Sequence, residues 1–289
     1  MRHLLAADRV RFGRRRDLWF LVALVPVVML IMFLAGYHTL TTPPLDNFFI
    51  DPPDPVAQAQ LHDQMLADWH QRLATELPAY AFPAGLLLMA DNVAPLILLA
   101  IYLATALVVG EFEWGTVRTL HLTSQRGRTL AVRVGLILGL MGLVTAIGLL
   151  FAAIAPFFMS FEGTPLQQYA APAPDLWTAI ALRLLIVLPF MALPVLLGVL
   201  TRSMGITFVL LVLFFAADLG LMGAPFWPGS PLPWVPAVTL SGAINRLLGP
   251  PEGPMTWVPW GVSLAALLAW GIVPILVAIG RFRRLDINE

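Results

Sequence analysis

Six long apolar stretches dominate this 289-residue chain, each interrupted by at most one charged side chain: 18–36, 82–110, 130–158, 177–200, 205–227 and 257–280. A helix needs about 20 apolar residues to cross roughly 30 Å of hydrocarbon. In lipid every backbone N–H and C=O must be satisfied within the segment, so runs of this length are expected to be helices. The expected fold is an all-α polytopic integral membrane protein with six transmembrane helices. A charged content of 12%, a mean hydropathy of +0.82 and 59% hydrophobic residues fit that reading, since soluble domains carry about 25% charged residues. The runs 82–110 and 130–158 exceed the minimum and are expected to be tilted or broken. Run 18–36 is too long for a signal peptide and is followed by Tyr37-His38-Thr39 rather than small residues, so it reads as a retained helix.

Arginine placement sets the orientation, because positive residues near span ends stay in the cytoplasm. Arg2, Arg9, Arg11, Arg14, Arg15 and Arg16 precede the first run, and Arg118, Arg126, Arg128 and Arg133 follow the second. With Arg202, Arg281, Arg283 and Arg284 they place 14 of 17 arginines on one side. The opposite loops hold Arg72 and Arg246 beside nine acidic residues. Both termini are therefore expected in the cytoplasm. Trp19, Trp177, Trp227, Trp257 and Trp260 lie at span ends, as in an interfacial belt. The longest polar stretch, 37–81, is short for an independent domain. The chain thus reads as one transmembrane domain over 1–289, with 1–17 a basic interfacial segment.

The chain has no lysine and no cysteine. A Walker-type phosphate loop and a Schiff-base site both need lysine, and thiolate chemistry needs cysteine. Any nucleotide-driven process must use an ATP site on another polypeptide.

In the outer loop, Asp54-Pro55 starts a helix that Pro78 closes, and Leu61, Met65, Trp69, Leu73 and Leu77 recur every four residues. This extracytoplasmic amphipathic helix, 55–77, reads either as an outer gate or partner site, or as an interfacial helix packed on the bundle. His62, Asp63 and His70 lack metal-site spacing, and no metal is assigned. The loop between the fifth and sixth runs is rich in proline around a short helical stretch, 237–248. If that stretch dips into the membrane, protein must cover it.

The segment 111–129 orders two carboxylates, an aromatic and a Gly-Thr ahead of several arginines: Glu111, Glu113, Trp114, Gly115-Thr116, Arg118 and Arg126, with Arg133 beyond. Positive-inside bias alone accounts for the arginines; the ordered acidic-aromatic-Gly-Thr run suits a loop that lies along the membrane and faces a cytoplasmic partner. This run resembles the Glu-x-x-x-Gly-Thr pattern, followed by leucines and two basic residues seven positions apart, of permease subunits in the type-two exporter class of ATP-binding-cassette (ABC) transporters. Glu111, Gly115-Thr116, Leu120, Arg126 and Arg133 occupy the matching positions, and Thr123-Ser124-Gln125 stands where the family commonly has proline. The resemblance implies a transport subunit rather than an enzyme, in a bacterial cytoplasmic membrane. It implies two six-span permeases, identical or related, each docked on a separate ATPase that carries ATP and Mg. No cofactor and no nucleic acid is implied for this chain. The coupling residues it implies are Glu111, Glu113, Trp114, Gly115, Thr116, Arg118, Arg126 and Arg133.

Asp91 and Asn92 lie in the second run, Arg183 in the fourth and Asp218 in the fifth. A charge at mid-bilayer costs about 2.5–3.5 kcal/mol on insertion scales, so such groups face a cavity, a partner or interfacial water. They read as pathway candidates or as residues at misplaced span ends. Gly135, Gly139 and Gly142 give a small-residue face suited to close packing within or between subunits. Pro26, Pro95, Pro189, Pro194 and Pro274 are expected to kink their helices. A proton-coupled secondary transporter using Asp91 and Asp218 is the main rival, although no internal inverted symmetry is visible. An intramembrane enzyme lacks His-Glu-x-x-His and Gly-x-Ser-x-Gly motifs. A purely structural membrane subunit is the third alternative.

Overall fold

The computed structural model of the chain describes residues 16–44, 55–113, 126–172, 175–222, 235–248 and 258–284. These are mostly helical: α1 (Arg16–Thr41), α2 (Pro55–Tyr80), α3 (Ala84–Asp91), α4 (Ala94–Ala104), a π-helical segment (Thr105–Val109), and α5 (Gly110–Glu113). They continue with α6 (Arg126–Ile154), α7 (Leu176–Thr201), α8 (Met204–Met222), α9 (Val235–Val238), α10 (Leu240–Leu248) and α11 (Trp260–Arg284). Among the described residues, α1, α6 with its 3-10 extension Ala155–Phe158, α7, α8 and α11 are long and apolar enough to cross a bilayer. A sixth counts if α2 and α3, bent by 96° at the intervening break, form one span. This is the make-up of a multi-pass helical membrane protein.

The outer surfaces support that reading. Helix α8 exposes Phe208, Val209, Val212 and Leu213, each more than half accessible, and α11 exposes Val273 and Leu276. Soluble monomers rarely leave apolar patches of this extent uncovered; in a bilayer these faces meet lipid. Burial follows the helical period instead of the whole circumference. In α1 the buried side chains are Leu18, Val22, Val25, Met29 and Phe33, spaced three or four residues apart.

The run 82–110 is not one helix. Pro95 lacks an N–H, and its ring would clash with the Asp91 carbonyl in a continuous helix, so α3 stops at Asp91 and α4 starts with Pro95 in its first turn. Pro26, Pro189, Pro194 and Pro274 lie inside α1, α7 and α11, which continue through them.

The described chain falls into two compact units. One takes its residues from Met1–Ala23, Val93–Leu143 and Ala181–Glu289, the other from Leu24–Asn92 and Val144–Ile180. In the first, Ile186 and Leu193 of α7, Leu211 of α8, Leu240, Ala243 and Leu247 of α10, and Leu267 of α11 form the core. Lipid is as apolar as these side chains, so close approach matters more here than withdrawal from water. Gly271 supplies one such approach: a Cβ there would lie 2.6 Å from Leu188 Cδ2. By contrast, Cβ atoms on Gly135, Gly139 and Gly142 would meet nothing within 4 Å among the described residues. Their small-residue face therefore packs no helix within the described part of the chain, and the within-chain half of that expectation is corrected.

In the second unit, rings of Phe33 and Tyr80 meet at 5.3 Å and those of Tyr37 and Tyr80 at 5.7 Å. The Gln167 side chain clamps the bend between α2 and α3, donating to Phe82 O at 2.7 Å and accepting from Phe82 N–H at 3.2 Å. An antiparallel hairpin, β1 (Ser160–Phe161) with β2 (Thr164–Pro165), departs from the all-α expectation. Its turn residues Glu162 and Gly163 both have positive φ, 50° and 78°, the condition for a tight type I′ hairpin.

Candidate functional site

Two places in the first unit gather polar and close-packed features. One lies where the second apolar run reaches the 111–129 loop. There the helix passes from α4 into the π-helical segment, in which Thr105 Oγ1 donates to Ile101 O at 2.8 Å and Tyr102 O at 3.0 Å. Such back-bonding competes with regular helical pairing, and single π turns concentrate at functional sites. Val109, at the end of this segment, presses on Gly198 of α7, where a Cβ would overlap the valine methyl Cγ2. The glycine is what permits the approach.

Arg133 sits in α6 with only 3% of its surface accessible. Its Nη1 donates a long, 3.5 Å bond to Leu107 O in the π segment. The sequence pattern groups Arg133 with the loop residues; the structure places it inside the helix packing, tied to the backbone just before the loop begins. Beyond the π segment, α5 carries Glu111 and Glu113 on its backbone, and Phe112 between them meets Phe282 of α11 edge-on at 5.8 Å. Phe282 is buried and lies among Arg281, Arg283 and Arg284 in the last turn of α11. No motif marks Phe112 or Phe282; an aromatic between two carboxylates at a helix end is the faint signal. Trp114, Gly115, Thr116 and Arg118 lie outside the described residues, and Arg126 opens α6 with its side chain outside them too.

The second place is the start of α10. The N-terminus of a helix leaves backbone donors without intrahelical partners. Here Asp218 of α8, 4% accessible, accepts Leu240 N–H at 2.8 Å on one carboxylate oxygen and Ser241 N–H at 2.7 Å on the other. Thr239 acts as the N-cap, its hydroxyl accepting Gly242 N–H at 3.2 Å. The first intrahelical bond, Ala243 N–H to Thr239 O, follows at 3.0 Å. The negative carboxylate also complements the positive end of the helix dipole. Two further bonds hold α9 and α10: Trp270 Nε1 of α11 donates to Val238 O at 2.9 Å, and Arg246 Nε of α10 to Val258 O, just ahead of α11, at 2.8 Å. The protein cover that a dipping helix requires is present, in α7, α8 and α11.

The remaining pathway candidates are placed separately. Asp91 is the exposed last residue of α3, and Asn92 is the half-buried C-cap whose N–H donates to Met89 O at 3.2 Å. Arg183 is half-buried in α7. Neither aspartate shares a cluster of three metal-ligating side chains, and no such cluster occurs among the described residues. Compared with family models, curated proteins and solved structures, the chain has no significant match.

Proposed function

We propose that this chain is the transmembrane subunit of an ABC transporter of the type-two exporter class. Six spans with both termini in the cytoplasm form the pathway for ATP-driven export of a hydrophobic or amphipathic substrate, and a separate ATPase supplies the energy. The membrane is a bacterial cytoplasmic membrane. The observation that carries this reading is the ordered run Glu111, Gly115-Thr116, Arg126, Arg133, taken with how its ends are held. At its start, Phe112 meets Phe282 edge-on. At its end, Arg133 reaches the π segment that leads into the run. A push on a loop so anchored is delivered to α4, α6 and α11 together, which is what rigid-body coupling of an ATPase to a membrane pathway needs. The open face at Gly135, Gly139 and Gly142 suits a second permease copy or a related one.

The proton-coupled alternative at Asp91 and Asp218 has less support. Both Asp218 oxygens are engaged by backbone N–H groups of α10, which makes this carboxylate a helix anchor.

The test is co-expression with a candidate ABC ATPase subunit, followed by purification and transport assay. Charge reversal at Glu111 and Arg126 is expected to abolish co-purification or to uncouple ATP hydrolysis from transport. Unchanged assembly and transport would overturn the assignment. Transport driven by a pH gradient without any ATPase, lost in Asp91→Asn, would establish the alternative.

A further inference from the structure

In the second unit, α1 ends at Thr41 and α2 runs past it, leaving a pocket of about 210 Å³ lined by Thr42, Pro44, Met65, Asp68, Trp69 and Arg72. Liquid water occupies about 30 Å³ per molecule, so the space holds roughly seven waters, less than a drug-sized ligand fills. Its lining combines both charges with an indole. Asp68 and Arg72 are four residues apart on α2, a spacing that puts side chains about 5–6 Å apart at Cβ and commonly closes into an ion pair. Here both are exposed, and neither side chain makes a hydrogen bond or ion pair with another described residue. They flank the pocket as an open anion and an open cation. Trp69 is held in place between them, its Nε1 donating to Leu40 O at 2.8 Å.

We infer that this pocket binds a small phospho-zwitterion of the phosphoethanolamine type. Arg72 takes the phosphate oxygens through its guanidinium fork. Asp68 takes the ammonium, and the Trp69 ring adds cation–π attraction. A ligand with a single negative charge satisfies Arg72 and is repelled by Asp68, so the lining selects a zwitterion over an anion. The pocket lies at the end of the first long apolar helix, beside a tryptophan, which is the depth of lipid headgroups. The headgroup of a zwitterionic phospholipid is therefore the source the position favours.

The experiment uses the purified full chain in a non-ionic detergent and titrates three probes by calorimetry: dihexanoyl-phosphatidylethanolamine, dihexanoyl-phosphatidylglycerol and free phosphoethanolamine. The ethanolamine lipid is expected to bind saturably and about tenfold more tightly than the glycerol lipid, a difference of about 1.4 kcal/mol. Asp68→Asn and Arg72→Gln, both at exposed positions, are each expected to weaken it by about tenfold. The exchanged pair Asp68→Arg with Arg72→Asp keeps both charges and is expected to recover part of the binding. Free phosphoethanolamine binding as tightly as the lipid supports the zwitterion site with a soluble source. Equal affinity for the two lipids, no saturable binding, or wild-type affinity in both single variants overturns the inference.

Discussion

The carboxylate of Asp218 holds the backbone N–H of Leu240 at 2.8 Å across 22 residues of chain, and so fixes where α10 begins against α8. Its other oxygen does the same for Ser241. Asp218→Ala strands two donors, the buried Leu240 N–H and the partly buried Ser241 N–H; a buried donor left unsatisfied costs about 1–3 kcal/mol. Asp218→Asn keeps one acceptor. Thermal unfolding of the purified chain in detergent is expected to rank wild type above Asn and Asn above Ala. An alanine variant as stable as wild type would remove the anchor.

Phe112 and Phe282 meet edge-on at the base of the 111–129 loop. Aromatic pairs of this geometry contribute about 0.5–1.5 kcal/mol beyond their burial. A double-mutant cycle of Phe112→Leu and Phe282→Leu should show coupling of that size. Additive losses would mean that the rings do not act together. Under the proposed coupling to a separate ATPase, either single variant is expected to lower transport more than it lowers assembly.

Gly198 is the point where α7 admits Val109. Gly198→Ala is expected to destabilise by about 1–3 kcal/mol through overpacking. Since the opposing atom is a valine methyl, Val109→Ala in the same chain should recover most of the loss. If the double variant unfolds as early as Gly198→Ala alone, the approach lies elsewhere.

Gln167 pairs with both backbone polar groups of Phe82. Gln167→Leu removes two bonds at an exposed site, with a net effect of about 1–2 kcal/mol on the bend. Amide hydrogen exchange is the direct readout: protection of Phe82 N–H should fall in the variant while protection within α1 stays constant.

Hydropathy is a local property with the helix period, and it was enough to find the long apolar helices and the helical class. The expected runs 177–200 and 257–280 lie within α7 (Leu176–Thr201) and, in most of its length, α11 (Trp260–Arg284). The 55–77 pattern lies within α2, which runs on through Pro78 to Tyr80. The prolines take two kinds of place: Pro95 stands in the first turn of α4, where its run is interrupted, and Pro26, Pro189, Pro194 and Pro274 lie inside helices that continue through them.

By itself, then, the sequence determined that long stretches must be helical and lipid-compatible, and that no lysine-dependent nucleotide site lies on this chain. Only the tertiary structure decided what the isolated polar residues do. Asp218 meets Leu240, and Arg133 meets Leu107, across 22 and 26 residues. No periodicity records such pairings, since they depend on which helices pack side by side. A buried carboxylate reads the same in sequence whether it lines a pathway or anchors a helix. What separates the two is whether backbone N–H groups occupy its oxygens, and that is settled by packing.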